Sequence, residues 1–187
     1  MEQLDDTYLM KKVQAGDLSQ MGILFKRHHR DLYGYFFRMT NQQTKSEDLV
    51  QTVFYRLMKY RHTYRGEVKF NHWMYTIAKN VWRDTFRKKD PLHQVKEVSA
   101  LNHHQSQEKG IVEKLAEKDR VNLLRKALLQ LTPEKREAII LSRYQGLKYQ
   151  EIAQLSDCSE NAIKSRVQRG LMELKTIIKK IETEITN

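Results

Sequence analysis

"SENAIKSRVQRG", residues 159–170, crowds Lys164, Arg166 and Arg169 into one short stretch whose large aliphatics are Ile163 and Val167. On a wheel of 100° per residue, Ile163, Val167, Gly170, Leu171 and Leu174 fall within about 100° of arc, the stripe of a helix that faces a core. Asn161, Ala162, Ser165, Arg166 and Arg169 take the opposite arc, and Lys164 borders the apolar stripe, four residues from Glu160. Small residues let a backbone approach a groove, while Arg and Asn carry the donors that base edges accept. A short helix is predicted just upstream, Tyr149 to Leu155, followed by the turn Ser156-Asp157-Cys158-Ser159. A basic helix face is ordinarily only solvated. A preceding helix and a four-residue turn shift the balance to a helix-turn-helix whose second helix lies on DNA.

Composition agrees. The 34 Lys and Arg against 23 Asp and Glu leave 187 residues with a net charge of +11. Such a surplus suits a polyanionic partner, nucleic acid or an acidic membrane face. Only 2 Pro and 7 Gly occur, too little turn chemistry for a many-stranded protein, so the fold class is all-α. The single cysteine, Cys158, rules out an intramolecular disulfide and any multi-cysteine zinc site. MEQLDDTYLM lacks the apolar run of a signal peptide, and no stretch reaches about 18 consecutive apolar residues. The expectation is a soluble cytoplasmic protein without stable membrane insertion.

Along the chain, residues 4–39 read as helical with a break at Ala15-Gly16-Asp17, and a second start signal stands at Thr44-Lys45-Ser46-Glu47, a Thr cap with Glu three residues on. Leu49, Val50, Val53, Phe54, Leu57 and Met58 then form one apolar stripe, leaving Asp48, Gln51, Thr52, Tyr55 and Arg56 outward. A looser stretch around Gly66 precedes a third helix near Asn71, with Trp73, Met74, Ile77, Ala78 and Val81 on its apolar side. Thr76, Lys79, Asn80, Arg83 and Arg87 share the other side, which runs on into Lys88 and Lys89. Residues 90–110 lack aromatics and periodicity and read as a linker. Beyond it, Thr132-Pro133-Glu134 marks a helix start and Gly146 a stop. The organisation is two small helical domains, 1–89 and 111–187, joined by a flexible arm.

Two blocks resemble one known family. "LTPEKREAIILSRYQGLKYQEIAQLSDCSENAIKSRVQRGLMEL" is similar to the C-terminal promoter-reading domain of extracytoplasmic-function (ECF) sigma factors, and "EDLVQTVFYRLMKY" with "FNHWMYTIAKNVWRDTFRKK" resembles their N-terminal domain. The resemblance implies a protein that binds core RNA polymerase and directs promoter-specific initiation. Minus-35 DNA would then lie on Asn161, Ala162, Lys164, Ser165, Arg166 and Arg169. The minus-10 element would be melted and held by Tyr64, Phe70, Asn71, His72, Lys79, Asn80, Arg83 and Arg87, since unpaired bases need stacking faces and a cationic groove. Asp48 and Gln51, with Thr52 and Tyr55 beside them, match positions that grip the clamp helices of the polymerase's largest subunit. An anti-sigma factor is a further partner the family implies. Lys148, Asp157, Asn161-Ala162 and Thr52 depart from the family's usual residues. The Asn161-Ala162 change lies on the DNA-facing arc and bears on the minus-35 sequence preferred.

Two rival readings are weaker. A helix-turn-helix regulator with a ligand-sensing N-terminal domain has no need of Lys79, Arg83, Arg87, Lys88 and Lys89 beside aromatics. A nucleic-acid enzyme needs clustered carboxylates for a metal, and here they are scattered. His28-His29 and His103-His104 are sequence neighbours, which do not share a helix face. No catalytic residue, metal or cofactor is expected.

Overall fold

The computed structural model describes residues 4–87 and 111–186, and the side chains within them over 4–85 and 119–184. Every regular element among the described residues is helical: α1 (Asp6–Gln14), α2 (Gln20–Thr40), α3 (Gln43–Lys59), a 3-10 turn (Arg61–Thr63), α4 (Phe70–Arg87), α5 (Ile111–Gln130), α6 (Pro133–Arg143), α7 (Tyr149–Leu155) and α8 (Glu160–Thr186). The stretch 90–110, expected to be a linker, lies outside the described residues. Contacts group the rest into two units, one of 4–36 and 44–87, the other of 37–43 and 111–186.

Capping chemistry explains most boundaries in the first unit. The Asp5 carboxylate accepts from Thr7 N at 3.2 Å, capping α1. Asn41 at φ 54° turns the chain out of α2, and the Thr40 hydroxyl accepts from Gln42 N at 3.1 Å. α3 starts at Gln43, earlier than the Thr44 cap expected from the sequence. Thr44 and Ser46 are therefore inside the helix, and Ser46 is fully buried. Leu9, Met10 and Val13 of α1 share the core with Leu24, Leu32 and Phe36 of α2, Val53 and Leu57 of α3, and Met74 and Ala78 of α4, all buried. Phe25 of α2 is 41% exposed and stacks on His29. Asp6 fastens α1 to α2, its two oxygens lying 2.6 Å from Arg27 Nη1 and 2.6 Å from His28 Nε2. Arg56 and Asp84 join α3 to α4 at 2.7 Å.

In the second unit, α8 packs against α5, α6 and α7. Pro133 opens α6 as expected, but the Thr132 hydroxyl makes no cap hydrogen bond. Glu151 reaches back to accept from Lys148 N at 2.8 Å at the start of α7, and Ser159 Oγ accepts from Ala162 N at 3.2 Å at the start of α8. Asp157 adopts φ 48°, the left-handed geometry that the turn between α7 and α8 requires and that Asp tolerates. Two close contacts fix the frame. The Arg136 guanidinium is buried and donates to Leu128 O at 2.8 Å, Leu129 O at 2.6 Å and Leu131 O at 3.0 Å. It thereby supplies a donor to Leu129 O and Leu131 O at the end of α5, and a second one to Leu128 O, which Leu131 N also reaches at 3.2 Å. Burial lowers its pKa from the ordinary arginine value, yet a guanidinium keeps its proton throughout the physiological range. At Gly170, an added Cβ would lie 2.9 Å from Ile139 Cδ1 and 3.3 Å from Lys135 Cβ, so α6 and α8 approach closely there.

Arg136→Met should strip those carbonyls of their donor and cost about 2–3 kcal/mol, roughly a hundredfold faster amide exchange across α6 and α8. Gly170→Val should cost about 1–3 kcal/mol in the same helices by overpacking. Hydrogen exchange read by mass spectrometry checks both. Unchanged exchange in α6 and α8 would contradict this account of the frame.

Candidate nucleic-acid interface

The α8 face divides as its sequence requires. Ile163 and Val167 are 0% and 1% exposed, while Asn161, Lys164 and Arg169 are exposed and Ala162, Ser165 and Arg166 half-buried. Ala162, Ser165, Arg166 and Arg169 line one side of a depression of about 520 Å³, whose other side is Thr132, Glu134 and Lys135 at the start of α6. Lys135 is engaged by Glu173, which leaves Arg166 and Arg169 as the cations turned to an incoming ligand in this depression. The structure thus gathers all six minus-35 candidates along one accessible helix face. A hydrogen-bonding cation in a shallow trough suits a base edge or phosphate better than a small molecule, which needs an enclosed apolar site.

The second group behaves less uniformly. On α4, Asn71, Asn80 and Arg83 are exposed, and His72 and Lys79 are half-buried. The Arg87 side chain, with Phe86 and the run Lys88-Lys89, lies outside the described side chains. Tyr64 and Phe70 do not present stacking faces. They are 1% and 2% exposed and pack around Trp73, with ring centroids 5.0 Å and 6.4 Å from it. The Tyr64 hydroxyl donates to Val68 O at 3.0 Å, and burial raises its pKa above the usual tyrosine value. Both rings are core, and the expectation that they stack on unpaired bases is corrected accordingly. Trp82, 9% exposed, also packs inward.

On α3, Asp48 and Gln51 are exposed and Tyr55 is 65% exposed, an unusual degree for a tyrosine with no packing role. Thr52 turns its hydroxyl back to Asp48 O at 2.8 Å. Arg56, outward by pattern, is occupied by Asp84. No group of three or more His, Cys, Asp or Glu side chains suited to a metal occurs among the described residues. None of their helices is long and apolar enough to cross a membrane.

Comparison with known proteins decides the family. Residues 24–91 match Sigma-70 region 2, and residues 122–174 match Sigma-70, region 4. RNA polymerase sigma factor CarQ of Myxococcus xanthus is 31% identical over 180 residues, covering 94% of this chain and 99% of that protein. The chain belongs to the ECF family of RNA polymerase sigma factors. ECF sigma factor SigX of Bacillus subtilis (strain 168) is 29% identical, covering 87% of this chain and 86% of its own. Among solved structures, CnrH bound to the cytosolic domain of CnrY shares the fold with a TM-score of 0.71 at 21% identity, covering 94% of this chain and 97% of that one. Sigma factor RpoE with anti-sigma factor NepR from Bartonella quintana gives 0.69 at 24%, with 87% and 97% covered. The sigma factor therefore directs RNA polymerase to promoters. The match to region 2 favours this reading over a regulator with a ligand-sensing N-terminal domain.

Sequence reasoning passed over two side chains that hold these surfaces in place. Arg136 stood unremarked inside the helical pattern of α6, and Gln14 looked like an ordinary helix-end polar residue. No local periodicity marks either one, because their partners are backbone carbonyls.

Within the α8 face, Arg166→Ala should cost about 1–3 kcal/mol of minus-35 affinity and relax preference at one base position. Lys164→Ala should instead weaken all sequences alike and reduce the salt slope by about one ion. Titration of labelled promoter duplexes at several salt concentrations separates the two. Unaltered affinity in both variants would contradict the assignment of this face.

Proposed function

We propose that the sigma factor divides promoter recognition between its two units. The exposed face of α8, Asn161, Ala162, Lys164, Ser165, Arg166 and Arg169, reads the minus-35 element. The exposed side of α4, with Asn71, His72, Lys79, Asn80 and Arg83, and Arg87 beyond them, holds the minus-10 region as it opens. The face of α3 formed by Asp48, Gln51, Thr52 and Tyr55 docks on the clamp helices of the polymerase's largest subunit. In this division the N-terminal domain spans 1–89, the C-terminal domain 111–187, and 90–110 links them. The observation that carries the reading is the two-sidedness of α8, whose inward Ile163, Val167 and Leu174 are buried and whose outward face is cationic and lined by small residues.

For the minus-10 region the support is electrostatic and geometric. Asn80 and Arg83 are one turn apart on α4 and both exposed, so a short amide lies beside a cation. An amide carries donor and acceptor together, which suits the edge of an unpaired base. With Tyr64 and Phe70 in the core, this recognition rests on edge contacts and charge rather than on stacking against those rings. The site belongs to the cytoplasm, where polymerase and DNA meet, and bond-making belongs to the polymerase. CnrH and RpoE, which share this fold, were solved with CnrY and the anti-sigma factor NepR, and we extend the proposal to an anti-sigma partner for this chain.

Replacing Asp48 and Gln51 together by Ala should abolish capture of purified core polymerase and promoter-directed run-off transcription. The far-ultraviolet circular dichroism and binding to minus-35 duplex should stay as in the parent. Undiminished capture of core enzyme would refute the α3 docking face.

A further inference from the structure

The loop between α3 and α4, residues 60–69, has almost no regular structure of its own, yet it is held in one shape. Its Tyr64 ring is clamped beneath Trp73, and the Tyr64 hydroxyl closes a small ring onto Val68 O. Gly66 turns the chain at φ 73°, and an added Cβ there would lie 2.7 Å from Lys11 Cε, so the Lys11 stem lies across that turn. The remaining support comes from one side chain almost fifty residues earlier. Gln14 Nε2 donates to Tyr64 O at 2.9 Å and to His62 O at 3.3 Å. Gln14 is the last residue of α1, and α1 is rigidly seated: Leu9, Met10 and Val13 are all 0% exposed. The family segment matched by the chain starts at residue 24, so α1 precedes it.

We propose that Gln14 is a positioning residue for minus-10 recognition, its amide fixing the 60–69 loop through the carbonyls of His62 and Tyr64 so that the loop is ready to receive an unpaired base beside α4. The inference rests on the proposed role of the adjoining α4 side chains in holding minus-10 DNA. The physical case is preorganisation. An amide NH2 carries two donors, and here both go to loop carbonyls that neither helix nor sheet satisfies. Replacing them by an acceptor leaves two carbonyls facing a carboxylate and frees the loop to move. A mobile loop must be ordered when the base arrives, and that ordering is subtracted from the energy available for opening the duplex. His62, Thr63, Arg65, Glu67, Val68 and Lys69 are the exposed side chains whose placement this clamp sets. Gln14 itself points at the loop backbone and acts through it.

The test uses holoenzyme rebuilt from core polymerase and the full chain, on a duplex promoter and on templates already unpaired across the minus-10 element carrying each base in turn. Gln14→Glu keeps the size of the side chain and removes its donors. Gln14→Arg keeps donors within reach of both carbonyls, and its added charge favours all bases equally because phosphate attraction carries no sequence information. Gln14→Glu should lower open-complex formation on duplex about fivefold, the scale of a lost neutral hydrogen bond, and flatten the base preference on unpaired templates by a similar factor. Gln14→Arg should restore the preference, and all variants should capture core enzyme and minus-35 duplex as the parent does. A preference unchanged in Gln14→Glu overturns the proposal, as does a loss confined to thermal stability or core capture. A paired control separates this from the wider reading. If Val68→Ala with Lys69→Ala also leaves the preference intact, the loop has no part in minus-10 recognition. If that pair flattens it while Gln14→Glu does not, the Gln14 clamp alone is wrong.

Discussion

The Arg136 guanidinium is the constraint on which the frame of the second unit, and with it the exposed face of α8, depends. A helix that ends in a buried corner leaves carbonyls with nowhere to go, and α5 ends in such a corner against α6. One planar cation with fixed donor geometry satisfies Leu128, Leu129 and Leu131 together, at 2.6–3.0 Å. Burying a charge is costly unless every donor is used. Here the cost is offset by hydrogen bonds to these carbonyls and to Met39 O at 2.8 Å, and by the favourable placement of a cation at a helix C-terminus. The direction of α6 follows from this corner. α8 packs on α6, and at Gly170 the Ile139 and Lys135 side chains lie against its backbone, where an added Cβ would stand 2.9 Å from Ile139 Cδ1.

Function is a consequence of that rigidity. The recognition face of α8 carries short and half-buried residues, Ala162 and Ser165, between cations, Lys164, Arg166 and Arg169. Such a face reads a groove only if it is presented at a fixed angle, since base contacts discriminate by tenths of an ångström while phosphate contacts do not. The first unit solves a similar problem differently. Its exposed α4 side chains sit on a helix held to α3 by Arg56 and Asp84, and the adjoining loop is held by α1. In both units buried contacts determine where the exposed side chains stand.

What the sequence made legible was local. Tyr149–Leu155 was readable as a helix from its apolar spacing and its flanking turns, and it is α7. Asp157 was readable as a left-handed turn residue because its short polar side chain tolerates positive φ. The all-helical class and the exposed arc of α8 followed from scarce Gly and Pro and from a two-sided wheel. The start of α3 was misplaced because the chain leaves α2 at Asn41 and re-enters a helix two residues later, so Thr44 was already inside it. Tyr64 and Phe70 were misread for a deeper reason. An aromatic in a loop is open or buried according to what packs over it, and here the cover is α1 and Trp73, brought in by tertiary structure. The contribution of Gln14 is hidden for the same reason, since its partners are main-chain oxygens that no residue pattern encodes.

The central claim is that one chain brings RNA polymerase to promoters by reading two separate DNA elements with two separate helical faces. The most direct measurement is run-off transcription by the reconstituted holoenzyme on a library randomised across the upstream promoter, followed by sequencing of the templates that yield transcript. The account predicts two blocks of enriched sequence at a fixed separation, the upstream one erased by loss of the α8 cations and the downstream one retained. A single block, or transcripts from templates without sequence preference, would contradict it.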